Sequence, residues 1–232
     1  MRIQYATGYE PFSFSDDGHG ARGILVDLMD EILGRQMGIP IVHEICPWAR
    51  CQHRVEHGKR DAFFTIPTPR RRGYTTVSRL PVFSSPYILF TGVNNPRIDE
   101  IRRIKSLDEL RKHTNLSNAC ILGGGWHKTN LKGVKHLSQV LNSTKIMELL
   151  KHSRADIYIE QTLLVRYQLK QLGMQADIVE IPNVMDMTHW HLCIGKKSPF
   201  VNLMPAIDKK LEQMQQSGAL KKLQEKIFRK YK

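Results

Sequence analysis

The sequence has no run of the roughly 18 to 20 consecutive apolar residues that a membrane-spanning helix needs. It also has no low-complexity tract and no internal repeat, which argues against a repeat architecture. Its four cysteines are too few to form a disulfide scaffold in a chain of 232 residues. These absences leave an ordinary globular protein as the expected class. Its 41% hydrophobic and 25% charged residues are typical of that class.

The N-terminus lacks the features of a signal peptide, because no apolar segment follows Arg2. Two interpretations stay open: a cytoplasmic protein, or a mature chain given a starting Met. The cysteines also leave a choice, since Cys46 and Cys51 are close enough in sequence to be bridged in an oxidising compartment. Our default expectation is two or more free, buried thiols.

The formal net charge is +13, which makes nucleic acid, membrane surfaces and acidic ligands candidate partners. The basic residues are spread along the chain, and the densest runs are 69–72 and 221–232. No nucleic-acid motif accompanies them, so we interpret them as a solvated basic surface and expect no nucleic-acid partner. Nucleic-acid binding stays a competing function class, which steeply salt-dependent retention on DNA would favour.

Hydrophobic periodicity predicts two successive α/β units followed by C-terminal helices. The first unit is predicted as βαβαβ, with strands and helices at 2–7, 24–37, 39–45, 47–57 and 61–66. A capping box of Ser106 and Glu109 begins a helix of the second unit, whose other predicted strands and helices are 86–93, 119–122, 134–137, 144–151, 155–159, 161–172 and 178–181. A strand at 188–194 and helices from Ser198 to about Gln216 and beyond Gly218 complete the chain.

The last helices have no sheet of their own, so we expect the chain to return to the first unit. This predicts a discontinuous first lobe of residues 1–92 and 194–232, and a second lobe of residues 93–193. The two crossings, near 91–95 and 191–196, predict a hinge beside a ligand cleft between the lobes.

Short motifs along nearly the whole chain resemble the bacterial extracellular solute-binding proteins of family 3, whose best-known members bind polar amino acids. The motifs that carry this resemblance are 9–14, Gly23 with 26–28, 47–50, 58–62, 68–71 with Ser78, 105–110, 154–156 and 194–196. The resemblance implies an α/β, two-lobed fold of the type II periplasmic binding proteins and a periplasmic location, with the signal peptide removed. It also implies a non-enzymatic protein that binds a small, carboxylate-bearing ligand in an interlobe cleft for a membrane transporter or a sensor. We expect a monomer and no cofactor or metal.

Arg71 matches the family's carboxylate-binding arginine, and its planar guanidinium can hold a carboxylate through two hydrogen bonds. The alternative is a solvent-facing basic turn, and Arg70 or Arg72 could occupy the site instead. Tyr9 and Trp48 are predicted to line the cleft or, alternatively, to pack within the first lobe. Thr65 and Thr68 could reach the ligand through hydroxyl or backbone groups.

In the second lobe, Gly124 and Trp126 lie at a Gly-rich turn before a helix and are further candidate ligand residues. The family's acidic residue, which binds the ligand's ammonium group, matches Gln161, with Glu160 beside it. Glutamine cannot neutralise an ammonium group. Either Glu160 substitutes, or the ligand is not an ordinary α-amino acid.

Two other groups of cysteine and histidine side chains are close together in the sequence. Cys46, Cys51, His53 and His57 could be assembled into a metal site, but their spacing matches no zinc module and we predict none. His189, His191 and Cys193 alternate along a strand, where packing or cleft lining is expected. Rare relatives of the family are periplasmic dehydratases, so Glu10, His127 or Glu160 acting as acid or base is the alternative function.

Overall fold

The computed structural model describes residues 1–15 and 20–231. The predicted loop at 8–23 is therefore covered only in part, and Lys232 lies outside the described residues. Contacts between Cα atoms divide the chain into unit 1, Met1–Ser84 with Thr188–Lys232, and unit 2, Ser85–Met187. The lobe boundaries predicted above stay a prediction.

Unit 1 contains a parallel sheet centred on β1 (Arg2–Ala6), which pairs with β2 (Val42–Cys46) and β3 (Ala62–Thr65). The C-terminal half of β9 (Ile178–Gly195) is an antiparallel neighbour of β3 and of β4 (Thr75–Val77). Its elements in chain order are β1 (Arg2–Ala6), α1 (Ile24–Met29) continued by a π-helical turn (Asp30–Arg35), β2 (Val42–Cys46), α2 (Trp48–Glu56), β3 (Ala62–Thr65), α3 (Pro69–Tyr74) and β4 (Thr75–Val77). After β9 follow a 3₁₀ helix (Pro199–Leu203), α9 (Met204–Gln216) and α10 (Ala219–Arg229). The predicted βαβαβ order of the first unit is confirmed.

In unit 2, β6 (Asn118–Ile121) lies between β7 (Leu137–Val140) and β8 (Ile157–Gln161) and is parallel to both, and β8 pairs with β5 (Phe83–Gly92) in the antiparallel sense. The elements are β5 (Phe83–Gly92), α4 (Ile98–Arg103), α5 (Leu107–Lys112), β6 (Asn118–Ile121), α6 (Gly125–Asn130), β7 (Leu137–Val140), α7 (Ser143–Lys151), β8 (Ile157–Gln161), α8 (Thr162–Leu172) and β9 (Ile178–Gly195). The chain passes from unit 1 to unit 2 along β5 and returns along β9.

Local signals explain several helix ends. Ser106 Oγ accepts the backbone N–H of Glu109, and the Glu109 carboxylate accepts the N–H of Lys105, so both halves of the predicted capping box form. Ser198 caps the 3₁₀ turn before α9 by accepting the N–H of Phe200. Gly218 separates α9 from α10 with a φ of 72°, which glycine adopts without a Cβ clash.

Some predicted boundaries are wrong, and some elements were not predicted. The strand expected at 134–137 is found at Leu137–Val140, because His136 has a positive φ of 47° that an extended strand excludes. The strands predicted at 178–181 and 188–194 form one strand, β9, that continues through Pro182. Residues 69–72, for which a solvent-facing basic turn was the alternative to a ligand-binding role of Arg71, form the first part of α3, for which Thr68 is the N-cap and Pro69 the first residue.

No helix among residues 1–15 and 20–231 is long and apolar enough to cross a membrane.

Candidate functional site

Unit 1 contains a cavity of about 340 Å³ at the carboxyl ends of β1 and β3. Four of the predicted ligand residues, Tyr9, Trp48, Thr65 and Arg71, line it together. The other lining residues are Ala6, Thr7, Gly8, Ser13, Leu25, Phe64, Ile66 and Trp190. None of the lining residues is acidic. The cavity therefore combines aromatic walls with a single cationic side chain.

Arg71 is held in place by the start of α3 and by α2. Its backbone N–H donates to Thr68 Oγ1 at 3.3 Å, which is the N-cap bond of α3. Its side chain donates from Nε to Gln52 Oε1 at 3.0 Å and from Nη1 to the Ile66 carbonyl oxygen at 2.6 Å. The guanidinium carbon lies 4.9 Å from the ring centroid of Trp48, a cation–π distance. The guanidinium is thus fixed before any ligand arrives.

The positive charge of Arg71 has no counter-ion in the part of the chain that the structure describes. No carboxylate forms an ion pair with it, and its Nη2 has no protein hydrogen-bond partner among these residues. Burial lowers the pKa of Arg71, partly offset by Tyr74 and Cys193. A half-buried charge without a partner is unfavourable, so an anion that reaches Nη2 gains a strong, charge-assisted hydrogen bond.

The neighbouring arginines differ from Arg71. Arg70 is exposed and lies 3.5 Å from Glu56, and Arg72 is also exposed. Neither lines the cavity. Among the three arginines, the predicted one faces the cavity. Thr68, a predicted ligand residue, does not line the cavity and acts here as the helix cap that positions Arg71.

The aromatic wall is continuous with the core of unit 1. The Tyr9 ring lies 5.1 Å from Phe12 and 6.0 Å from Trp190, measured between centroids. Trp190 stacks on Phe83 with an interplanar angle of 8°. Trp48 packs edge-on against Phe63 on the other side. These contacts restrict the rings to one arrangement, so the cavity wall is preformed.

A disulfide joins Cys46, at the end of β2, to Cys51 in α2. Both residues are buried, and the loop they close contains Trp48. The bridge ties the first turn of α2 to the end of β2, and Gln52 follows Cys51 directly in the same helix. The sequence left this pairing open, whereas the expectation of two free, buried thiols holds for Cys120 and Cys193.

In unit 2 the predicted ligand residues Gly124 and Trp126 lie in two different environments. Gly124 lines a cavity of about 400 Å³ together with His127 and Cys120. Trp126 stacks on Tyr87 at 3.9 Å and donates its indole N–H to Asp186 Oδ2 at 2.5 Å.

Glu160 is enclosed, with 6% of its surface exposed. Its carboxylate accepts the Tyr158 hydroxyl at 3.2 Å and the backbone N–H of Gln161 at 2.8 Å, and it lies 3.7 Å from His127 Nε2. Burial raises the pKa of Glu160 to about 7, against the lowering effect of hydrogen bonds from Gln161, Tyr158 and Tyr87. Burial also lowers the pKa of His127, whose Nε2 bonds to the Ile159 carbonyl oxygen. The side chain of Glu160 is therefore occupied by protein partners.

Gln161, the last residue of β8, is fully buried. Its Nε2 donates to the Tyr87 hydroxyl at 3.3 Å. The amide thus supports the same tyrosine that stacks on Trp126, and it brings no charge to that region.

Sequence reasoning missed two residues that contact predicted ligand residues: Gln52, which accepts a hydrogen bond from Arg71 in unit 1, and Asp186, which accepts one from Trp126 in unit 2. Gln52 follows Trp48 by one helical turn, so helical periodicity could have placed both on the same face of α2. Asp186 is the single acidic residue between Glu180 and the C-terminal end of β9. An isolated acidic residue in a strand-forming segment is the only feature of the sequence that could have singled out Asp186.

The competing metal interpretation finds no support in the described part of the chain, which contains no group of three or more metal-binding side chains. His53 and His57 stack at 4.1 Å, and His57 Nδ1 bonds to the His53 carbonyl oxygen. His189 bonds to Ser84, while buried His191 bonds to the Ser78 carbonyl oxygen through Nδ1. These histidines have structural partners in unit 1.

Comparison with known proteins gives the family. The model described as bacterial extracellular solute-binding proteins, family 3, matches residues 1–230. The chain belongs to this family. The family is named for extracellular proteins, which implies a periplasmic or extracellular location.

The chain is 23% identical to the probable amino-acid-binding protein YxeM of Bacillus subtilis (strain 168), over 96% of this chain and 82% of that protein. Among solved structures it is similar to an ancestral cationic amino acid solute binding protein, AncCDT-1, with a TM-score of 0.72 and 23% identity, over 98% and 95% of the two chains. Another structure of AncCDT-1 is described as a precursor of cyclohexadienyl dehydratase. A histidine kinase sensor domain with similarity to periplasmic binding proteins matches with a TM-score of 0.70 and 14% identity, over 98% and 95% of the two chains. These likenesses confirm the predicted α/β fold of the type II periplasmic binding proteins.

Proposed function

We propose that this member of the family is a non-enzymatic binding protein that captures a small, carboxylate-bearing solute, an amino acid or a related organic acid. The observation that carries the proposal is Arg71, a half-buried cation fixed by Gln52 and Ile66 in an aromatic cavity, with no counter-ion among the described residues. A carboxylate supplies the missing charge, and the aromatic wall of Tyr9, Trp48 and Trp190 accepts the ligand's carbon skeleton. The descriptions of YxeM and AncCDT-1, which name amino acids, agree with this ligand class.

The proposal includes delivery of the solute to a membrane transporter or a sensor. We also propose that the two lobes close around the ligand, with hinges at 91–95 and 191–196. Support for a sensor comes from the similarity to a histidine kinase sensor domain, and support for a transporter comes from the family. A protein of this kind needs a single ligand-binding step and no cofactor.

A thermal-shift screen with amino acids, organic acids and polyamines tests the proposal. A ligand present at about 100 times its Kd stabilises the folded state by about 2.7 kcal/mol, which raises Tm by several degrees. We expect carboxylates to give the hits and polyamines without a carboxylate to give none. Stabilisation by polyamines alone would contradict the proposal.

A second candidate function, a dehydratase on the same fold, is favoured by one observation. Glu160 is a buried carboxyl group with a pKa of about 7, beside His127, so it carries a proton near neutral pH. Such a group can donate a proton to a leaving hydroxyl. Incubation with prephenate-like acids distinguishes the two candidates: turnover that Glu160→Gln abolishes would establish the enzyme, whereas unchanged substrate supports binding alone.

A further inference from the structure

The cavity of about 400 Å³ in unit 2 lies where α6, and the glycine-rich turn before it, face β6 and β7. All of its lining residues belong to unit 2, so the cavity is complete without any residue of unit 1. Sites for small molecules usually have volumes of about 300 to 1,000 Å³, and this cavity falls in that range. The carboxylate site at Arg71 makes no use of it.

His127 lines this cavity with 5% of its surface exposed. Its Nε2 lies 3.0 Å from the Ile159 carbonyl oxygen, which can only accept a hydrogen bond, so Nε2 carries the ring proton. Burial lowers the pKa of His127, which keeps the ring neutral and leaves a lone pair on Nδ1. Nδ1 has no hydrogen-bond partner among the described residues and is open to the cavity. It therefore offers an unused acceptor for a donor that enters the cavity.

Gly124 keeps Nδ1 of His127 uncovered. A Cβ atom at this position would lie 2.5 Å from Nδ1, which is too close for any real contact, and 3.2 Å from the Ile121 carbonyl oxygen. The φ of Gly124 is −59°, which every residue type can adopt, so the backbone alone does not require glycine here. The space that a side chain at this position would remove is the space beside the free acceptor.

The rest of the lining combines positive charge with aliphatic surface. Lys128 in α6 and Lys132 just beyond it are exposed and form no ion pair with any residue that the structure describes. No lining residue is acidic, and Leu131 and Leu137 supply apolar wall. A ligand that satisfies all of these groups has an anionic group for the lysines, an apolar body and an O–H or N–H donor.

We propose that this cavity is a second ligand site, which binds a small organic anion carrying an O–H or N–H group. The donor bonds to Nδ1 of His127, the anionic group pairs with Lys128 and Lys132, and the apolar body packs against Leu131 and Leu137. Hydroxyaryl carboxylates have all three features. The site stands independently of the proposed function, because it is built from unit 2 alone and needs neither Arg71 nor the ligand bound there.

Matched acids with and without a hydroxyl group test this assignment. The probes are 3- and 4-hydroxyphenylacetate beside phenylacetate, titrated by calorimetry into Arg71→Ala, in which the unit 1 cavity lacks its cation. We expect at least one hydroxy acid to bind, and to bind at least fivefold more tightly than phenylacetate, because the parent acid leaves Nδ1 without a donor.

Two variants address the acceptor itself. His127→Gln should remove the preference for the hydroxy acid, because the glutamine amide can still donate to Ile159 but places no acceptor at the position of Nδ1. Gly124→Ala should remove it as well by covering Nδ1, and it decides the question if His127→Gln does not fold. A preference that persists in the folded variants would overturn the assignment.

The charge requirement is tested with two lysine pairs. Lys128→Ala with Lys132→Ala should weaken binding of the hydroxy acid at least tenfold. Lys112→Ala with Lys135→Ala removes the same charge from exposed positions of unit 2 outside the cavity and should leave affinity within twofold. Equal losses in both pairs, or no binding of either hydroxy acid to Arg71→Ala, would overturn the second site. Neither result bears on carboxylate binding at Arg71, which the screen of the wild-type protein tests separately.

Discussion

Arg71 in unit 1 and Glu160 in unit 2 are both ionisable side chains sheltered from solvent, yet their surroundings are opposite. Arg71 donates two hydrogen bonds to neutral acceptors and keeps Nη2 free of protein partners within the described residues. Glu160 is closed in by Tyr158, Gln161 and His127. Burial alone therefore does not mark a ligand site. A fixed charge with unfilled hydrogen-bonding capacity does, because only such a group gains when a ligand arrives.

The largest expected effect concerns Arg71. Arg71→Ala should weaken binding of the best carboxylate ligand at least tenfold, because truncating one partner of a hydrogen-bonded charge pair costs about 2 to 5 kcal/mol. Isothermal titration measures the loss. Arg72→Ala, which removes the same charge from an exposed neighbour, should leave affinity within twofold of the wild type. Equal losses in both variants would mean that overall charge, not Arg71, attracts the ligand.

The enclosure of Glu160 can be tested through the pH dependence of the free energy of unfolding. The unfolded chain releases this proton near the ordinary pKa of 4.5, whereas the folded chain holds it up to about pH 7. The stability that Glu160 contributes is therefore complete below about pH 4.5 and is lost as pH rises through 7, on the order of 3 kcal/mol in all. Glu160→Gln should remove this decline.

The measurement is the urea unfolding free energy of wild type and variant between pH 4.5 and 8. His127 has a lowered pKa and acts in the opposite sense, losing stability as pH falls below about 6.5, so only the difference between the two proteins is diagnostic. Glu225→Gln, at an exposed position of α10, should reproduce the wild-type slope. Parallel curves for wild type and Glu160→Gln would show that Glu160 titrates like an exposed acid. They would contradict the claim that Glu160, unlike Arg71, is enclosed by protein partners.

A smaller effect is expected from the bridge between Cys46 and Cys51. Replacing both cysteines with serine should lower the unfolding free energy by about 2 kcal/mol, because the bridge closes only a short loop. Loss of the tie at the start of α2 should also weaken ligand binding, since Trp48 and Gln52 support Arg71. Reduction of the wild-type protein, followed by the same unfolding and titration measurements, should reproduce both changes. Unchanged stability would show that the bridge does not constrain the unfolded chain.

The main part of the fold could be predicted because it depends on local patterns. Apolar periodicity predicted most elements of both units, but not β4 or α4, and the Ser106 and Ser198 caps predicted two helix starts. α3 was missed because a six-residue helix containing three arginines and a glycine has no apolar period. The continuity of β9 was missed because Pro182 and Asn183 locally favour a turn.

The site was predicted less completely, for a different reason. Arg71 and its aromatic neighbours follow from motif order, and the structure brings four of the predicted residues together. The enclosure of Glu160 depends on Tyr158, His127 and Tyr87, which come from three different elements. Asp186 meets Trp126 across sixty positions of sequence. Contacts of this range are made by tertiary packing and leave no local pattern.

The central claim, that Arg71 binds the carboxylate of the ligand, is tested most directly by a crystal structure with the strongest hit of the thermal-shift screen. We predict that a carboxylate oxygen lies about 2.7 to 2.9 Å from Nη2 of Arg71, with the ligand's carbon skeleton against Tyr9 or Trp48. A ligand whose carboxylate is bound elsewhere, with the Arg71 guanidinium still held only by Gln52 and Ile66, would contradict the account.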